Sequence, residues 1–315
     1  DLNFSCQIGG VPEISNALRS KYFTDLQLRG FNSSGILYGC IAGIDAWKDA
    51  GFSFDDESTL DYDTGLIFGT GTSGVEKFRE AIYNFDRIQN GNAKRMLVGS
   101  CSDHGPYVWG GFDAMRVLTY KHNDNPETGS RPMSATASGF VPGSGAGALV
   151  LESLESALER GANIYAEVLG GEVNSGGQRQ GGTLTAPNPE AVQRCIKNAI
   201  ENSNIQPDAI ELINGHLTAT SKDGLEIENW SKALNREGND FPYINSTKSL
   251  IGHCLAAAGA IECVASVIQL KEQFIAPNIN CEDLNPEISE VVASEKIPNK
   301  KKDVKFNIIA KASFG

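Results

Sequence analysis

Short apolar runs alternate with stretches of helical period along most of the chain. "GLIFGT" (65–70) leads into a helix-period stretch from Gly74 to about Asn90, where Val75, Phe78, Ile82, Phe85 and Ile88 form one stripe. "RMLVGS" (95–100), an amphipathic stretch near 111–120 and "GALVLE" (147–152) continue the rhythm. It resumes with a helix over about 189–203, a strand in "AIELING" (209–215), a helix near 223–235, the strand "YINST" (243–247) and an alanine-rich helix. A last apolar strand is read at "VKFNIIA" (304–310). This alternation predicts an α/β fold with two α/β halves and no linker or low-complexity tract between them. The stretch from "GLIFGT" to "RMLVGS" reads as a continuous βαβ unit. "RPMSATASGFVPGSGAG" (131–147) is the richest loop region, and its Gly and Ser favour plain chain reversal.

A chain of 315 residues is long enough to bury a large core. Its 27 basic and 39 acidic residues give a formal charge of −12, which disfavours a general nucleic-acid role, because phosphate binding needs a positive footprint. The seven cysteines are odd in number and form no CxxC pair, so a reducing cytoplasm fits them better than a disulfide framework. No apolar run reaches the length of a membrane span, and Glu262 interrupts the stretch 255–270. The chain begins at "DLNFSCQIGG" without a methionine and stops at "KASFG" straight after an apolar strand, so both ends are expected to be cut or processed.

Four histidines are present: His104, His122, His216 and His253. The first two read as solvated loop side chains. His216 and His253 each follow a strand-like run and a glycine, in "IELINGH" and "YINSTKSLIGH". Loops at the carboxyl ends of strands are where α/β folds bind ligands, so these two imidazoles could converge. Thr218, Thr220, Asp223 and Glu226 stand beside one, and Lys248 beside the other, able to fix which ring nitrogen bears the proton. Core packing explains the alanines after His253, but a structural role for Lys248 and His253 stays open on spacing alone.

"NGHLTATSKDGLEIE" (214–228), "NSTKSLIGHCLAAAGAIE" (245–262) and "FIAPNIN" (274–280) resemble, in order, the C-terminal motifs of the β-ketoacyl-acyl-carrier-protein synthases, closest to the bacterial elongating enzymes. "FDAMRVLT" (112–119), the stretch 139–168 and the terminal "KASFG" resemble that family in the same order. The resemblance implies a thiolase-like layered αβαβα architecture, with 1–155 and 156–315 as its two halves. By motif it also implies that His216 and His253 are the catalytic histidines, that Lys248 is the active-site lysine with Glu226 as its carboxylate partner, and that Thr218 and Thr220 contact the pantetheine arm. Phe314 matches the first phenylalanine of a gating loop. Two departures stand out: "DGLE" is one residue shorter than the family's segment, and Leu217 replaces a glycine, so that loop is expected to differ locally.

The family's nucleophile is a cysteine at a helix N-terminus, and nothing here matches its motif. Cys6, Cys40, Cys101, Cys195, Cys254, Cys263 and Cys281 all sit in other contexts. Either the chain is a natural non-catalytic relative, akin to chain-length factors, or a segment is absent between about Tyr83 and Asp86. The second reading is preferred, since non-catalytic relatives have little reason to keep both histidines and the lysine. The implied reaction is decarboxylative condensation of malonyl-acyl-carrier-protein with an enzyme-bound acyl thioester, in fatty acid or polyene biosynthesis. It needs no metal or organic cofactor, because phosphopantetheine arrives on the acyl carrier protein. A homodimer is expected, with Arg19, Lys21, Arg29, Arg87, Lys94 and Arg95 as candidate docking cations. A thiolase is the enzymatic rival, but the late cysteine of thiolases is missing.

Overall fold

A computed structural model describes residues 4–31, 33–54, 61, 63–70, 87–176 and 188–314. The expected helix from Gly74, its apolar stripe up to Phe85 and the junction near Tyr83 to Asp86 lie outside those residues.

In the N-terminal half, β1 (Thr64–Thr70) and β2 (Arg95–Ser102) pair in parallel, and β3 (Gly145–Glu152) runs antiparallel to β2. The parallel pairing of β1 and β2, with Thr64 opposite Arg95, is the one a βαβ unit requires. On one face of this sheet lies α1 (Ser34–Asp49), capped by the Ser33 hydroxyl, which accepts the Ile36 N–H at 3.2 Å. Gly35, Gly39 and Gly43 recur every fourth residue of α1 and turn toward β1 and β2. A Cβ at Gly35 would come within 2.9 Å of the Ser102–Asp103 backbone, so this ridge lets the helix sit directly on the sheet.

The C-terminal sheet is parallel throughout. Its central strand β4 (Leu212–Asn214) lies between β5 (Tyr243–Asn245) and β6 (Ile309–Lys311). Helices α2 (Pro189–Asn202) and α3 (Asp223–Leu234) cover its outer face. Val192, Ile196, Ile213, Ile227, Trp230 and Phe241 form the core there, each buried aliphatic side chain contributing about 1.5–3 kcal/mol.

Between the two sheets runs α4 (Ala258–Glu272), packed on β2, β3 and β6. The order of layers is therefore α1, first sheet, α4, second sheet, then α2 with α3: the αβαβα arrangement expected from the sequence. Gly147 of β3 makes the contact with α4 close, because a Cβ there would lie 2.6 Å from the Ile261 nitrogen.

Two expected elements differ. The helix expected near 111–120 is Pro106–Ala114, started by a proline in its first turn and finished before Arg116, whose φ is +57°. The strand expected over 304–310 is confined to Ile309–Lys311, because Phe306, Asn307 and Ile308 bond instead to Gln273 and Glu211 side chains. Among the described residues no helix is long and apolar enough to cross a membrane.

Candidate active site

β4 and β5 end side by side, and their following loops carry the two histidines. The Asn214 side-chain amide donates to Thr247 Oγ1 at 2.8 Å, tying the two strand ends together. The His216 and His253 rings meet edge to face with centroids 5.4 Å apart. Phe140 packs 4.9 Å from the His253 ring and Phe314 lies 6.4 Å from that of His216. The convergence expected from strand-end placement is therefore present.

Carboxylates hold the His216 loop through its backbone. Glu226 accepts the N–H groups of His216 and Leu217, each at 2.7 Å, and burial pushes its carboxyl up to about 7 against those donors. Asp223 accepts from Thr218 at 2.9 Å, Ala219 at 3.1 Å and Met133 at 2.9 Å. These bonds retain Leu217 at φ +22° and Ala219 at φ +63°, a left-handed region that side chains disfavour. Leu217 is completely buried, and its carbonyl accepts from Ser246 Oγ at 2.9 Å. The local difference expected where leucine replaces glycine is thus a strained turn pinned from both sides. Thr218 and Thr220 emerge half-buried from the same turn with hydroxyls 3.2 Å apart.

His253 is fixed by a segment that composition alone read as plain chain reversal. Its N–H donates to the Val141 carbonyl and its carbonyl accepts from Gly143, both at 2.8 Å. Gly139 donates to the Ala219 carbonyl at 2.9 Å, so residues 139–143 align both histidine loops. The Leu255 N–H donates to His253 Nδ1 at 3.1 Å, which places the proton of the neutral ring on Nε2. Burial, reinforced by the charge of Lys248, holds both histidines well below the usual imidazole range. At neutral pH they are neutral N–H donors.

The expected Lys248–Glu226 ion pair is not formed, because Glu226 spends both oxygens on backbone N–H groups. The partner of Lys248 is Glu262, the last residue of the quoted motif 245–262, carried into the same layer by α4. Lys248 and Glu262 are each 1% exposed, and Glu262 also binds Lys311 Nζ at 2.7 Å. Sequence reasoning noted Glu262 only as a break in an apolar run; a lone carboxylate in a buried alanine-rich helix is the signal that needed a cation. Lys248→Ala and Glu226→Ala are expected to be additive in stability to within about 0.5 kcal/mol, whereas Lys248→Ala and Glu262→Ala couple by about 0.5–3 kcal/mol. Glu262→Gln is the costlier change, about 3–5 kcal/mol, since it leaves two buried ammonium groups with no shared carboxylate. Urea unfolding of single and double variants measures both.

Of the expected docking cations, Arg95 is engaged elsewhere: it bridges Asp61 at 3.3 Å and Glu152 at 3.4 Å beside the first sheet. Lys94 pairs with Asp63 at 2.7 Å. The seven cysteines, none of which matches the nucleophile motif, are all free, and burial raises every one, Cys254 to about 12 and Cys281 to about 11. Among the described residues no His, Cys, Asp and Glu group is arranged to hold a metal ion.

Two family profiles match the chain: "Beta-ketoacyl synthase, N-terminal domain" over residues 79–157 and "Beta-ketoacyl synthase, C-terminal domain" over residues 165–282. The 3-oxoacyl-[acyl-carrier-protein] synthase I, chloroplastic, of Arabidopsis thaliana is 31% identical over 97% of this chain and 78% of its own length. That alignment runs over 378 positions, more than the 315 residues here, so the relative carries internal residues that this chain lacks. The 3-oxoacyl-[acyl-carrier-protein] synthase 2 of Coxiella burnetii is 36% identical over 72% of the chain, which spans about half, 54%, of that relative. A beta-ketoacyl synthase from Burkholderia phymatum superposes over the whole chain and 87% of its own, with a TM-score of 0.84 at 23% identity. A ketosynthase solved with its type II polyketide acyl-carrier protein and bound to a hexaketide is 30% identical over 76% of this chain and 58% of its own, with a TM-score of 0.66. Paired strand-end histidines, a buried lysine–glutamate pair and both profiles in order lead to one statement: the chain belongs to the beta-ketoacyl synthase family.

Proposed function

We propose that this protein condenses malonyl-acyl-carrier-protein with an acyl thioester to give a 3-oxoacyl-acyl-carrier-protein. The observation that carries this reading is the pair of half-buried, neutral imidazoles, one with its N–H fixed on Nε2 by the backbone. Two such donors suit an oxygen that becomes negative during the reaction. The malonyl carboxylate leaves as CO₂, and the electron pair it releases forms an enolate whose oxygen the histidines stabilise. The enolate carbon then bonds to the acyl carbonyl carbon, and the C–S bond to the nucleophilic thiol breaks, returning a thiolate. A histidine that is already neutral meets the enolate without first losing a proton.

Thr218 and Thr220 line the approach for the pantetheine arm, which arrives on the carrier protein, so the reading requires no resident cofactor. Carrier-protein partnering is supported by the names of the relatives and by the ketosynthase solved with its carrier protein. Arg19, Lys21, Arg29 and Arg87 are the candidate docking cations, the assembly is a homodimer, and the seven free thiols suit a reducing compartment such as the cytoplasm. Incubating the complete polypeptide with acyl- and malonyl-carrier protein is expected to yield the 3-oxoacyl product, read by mass of the carrier protein. If no CO₂ is released and no product forms, the protein is instead a non-catalytic subunit, the reading that the seven raised thiols would favour.

A further inference from the structure

Lys311 ends β6, three residues before Phe314, and its ammonium group is brought onto the carboxylate already held by Lys248. Lys248 binds one oxygen of Glu262 and Lys311 the other. The Lys311 side chain is 8% exposed and those of Lys248 and Glu262 are 2% and 1% exposed. Lys311 also donates to Ser313 Oγ, which locks the end of β6. Two cations on one buried carboxylate sum to one positive charge, and desolvating that charge is costly unless something in the site uses it.

We propose that Lys311 is a positioning residue of the histidine pair: by sharing Glu262 with Lys248 it adds a positive charge to the buried cluster, which sets the protonation state of His216 and His253 and favours an anionic oxygen between them. This deepens the condensation reading and rests on it. Among the described residues, the charged and titratable groups around the histidines include Cys254, next to His253. Lys248 precedes the His253 loop, Lys311 comes from β6, Glu262 and Cys263 from α4, and Asp223 and Glu226 from α3. Both acids of α3 are aimed at backbone N–H groups of the His216 loop. Lys311 stands opposite Asn214 in the pairing of β6 with β4, two residues before His216, while the carboxylates of α3 are occupied with backbone donors. In keeping with that geometry, the charges of Lys248 and Lys311 both work against protonation of either ring. Protonating His253 at Nδ1 would also break its bond from Leu255.

The sign of the effect follows. Activity is lost as pH falls through the histidine titration, and removing a neighbouring cation makes the rings easier to protonate. Lys311→Met should therefore move the histidine titration, followed by NMR of the ring Cε1–H signals, upward by about one unit, within the usual range for a nearby charge. The acid limb of malonyl-carrier-protein decarboxylation should move up by the same amount, and Lys311→Arg should restore both. Lys311→Gln, which keeps a donor toward Glu262 without the charge, should behave as Lys311→Met does and covers the case where the methionine variant does not fold. Unchanged titration in a folded Lys311→Gln protein, or failure of Lys311→Arg to restore it, overturns the proposal. A wild-type protein that releases no CO₂ sinks the condensation reading instead, and the NMR titration still decides the role of Lys311.

Discussion

His253→Ala is expected to abolish decarboxylation of malonyl-acyl-carrier-protein, with a rate at least about 100-fold below wild type, while acyl transfer from a carrier protein survives in part. The magnitude is that of removing one fixed donor from an oxyanion site, about 10²–10³ in kcat. The donor is fixed by particular contacts: Leu255 N–H on Nδ1, Val141 and Gly143 on the backbone, and Phe140 against the ring. Because the backbone bonds do not involve the imidazole, the loop should keep its path in the variant and the loss should fall on chemistry. Acyl transfer depends on the thiol and its own N–H donors, so it needs His253 less. The measurement is release of labelled CO₂ beside labelling of the enzyme by acyl-carrier protein. Normal CO₂ release from the variant would remove His253 from the malonyl step.

Which parts of this arrangement could be read from sequence follows from the range of the interactions. The strands 65–70, 95–100 and 147–152 were legible because apolar runs bounded by glycine are local signals, and β1, β2 and β3 fall on them. The histidines were legible because each stands just past a strand, and parallel neighbours deliver their carboxyl ends to one edge. The lysine's partner was misread because proximity along the chain favoured Glu226, whereas α4 carries Glu262 under Lys248 from 14 residues away. Lys311 was invisible for a similar reason: only the parallel pairing of β6 with β4 brings it there. The segment 139–143 has the composition of a turn, and it aligns the two histidine loops through backbone groups, which side-chain identity does not report.

The complete polypeptide is expected to carry a nucleophilic cysteine between Asn84 and Asp86 or within a residue or two of that junction, in a segment absent from these 315 residues. Three observations converge on it. Burial raises all seven cysteines present, so none offers a thiolate near neutral pH, although the proposed condensation forms an enolate that must attack an acyl thioester. The Arabidopsis relative aligns over 378 positions, so it holds internal residues with no counterpart here. A cavity of about 390 Å³ lies beside α4 between the sheets, with Val98, Leu149, Ile200, Val267, Leu270 and Phe314 in its walls. Such an apolar space leaves room for further apolar side chains to fill. Peptide mapping across "EAIYNFDRIQ" in protein from the intact source should recover an inserted peptide, and brief iodoacetamide treatment of the native protein should label its cysteine at least about tenfold faster than any of the other seven, as expected for the one thiol of lowered pKa. A single peptide reading continuously from Arg79 through Arg87 would reject the insertion and make the chain a non-catalytic member of its family. An inserted peptide whose cysteine labels no faster than Cys40 would keep the longer chain and reject the assigned nucleophile.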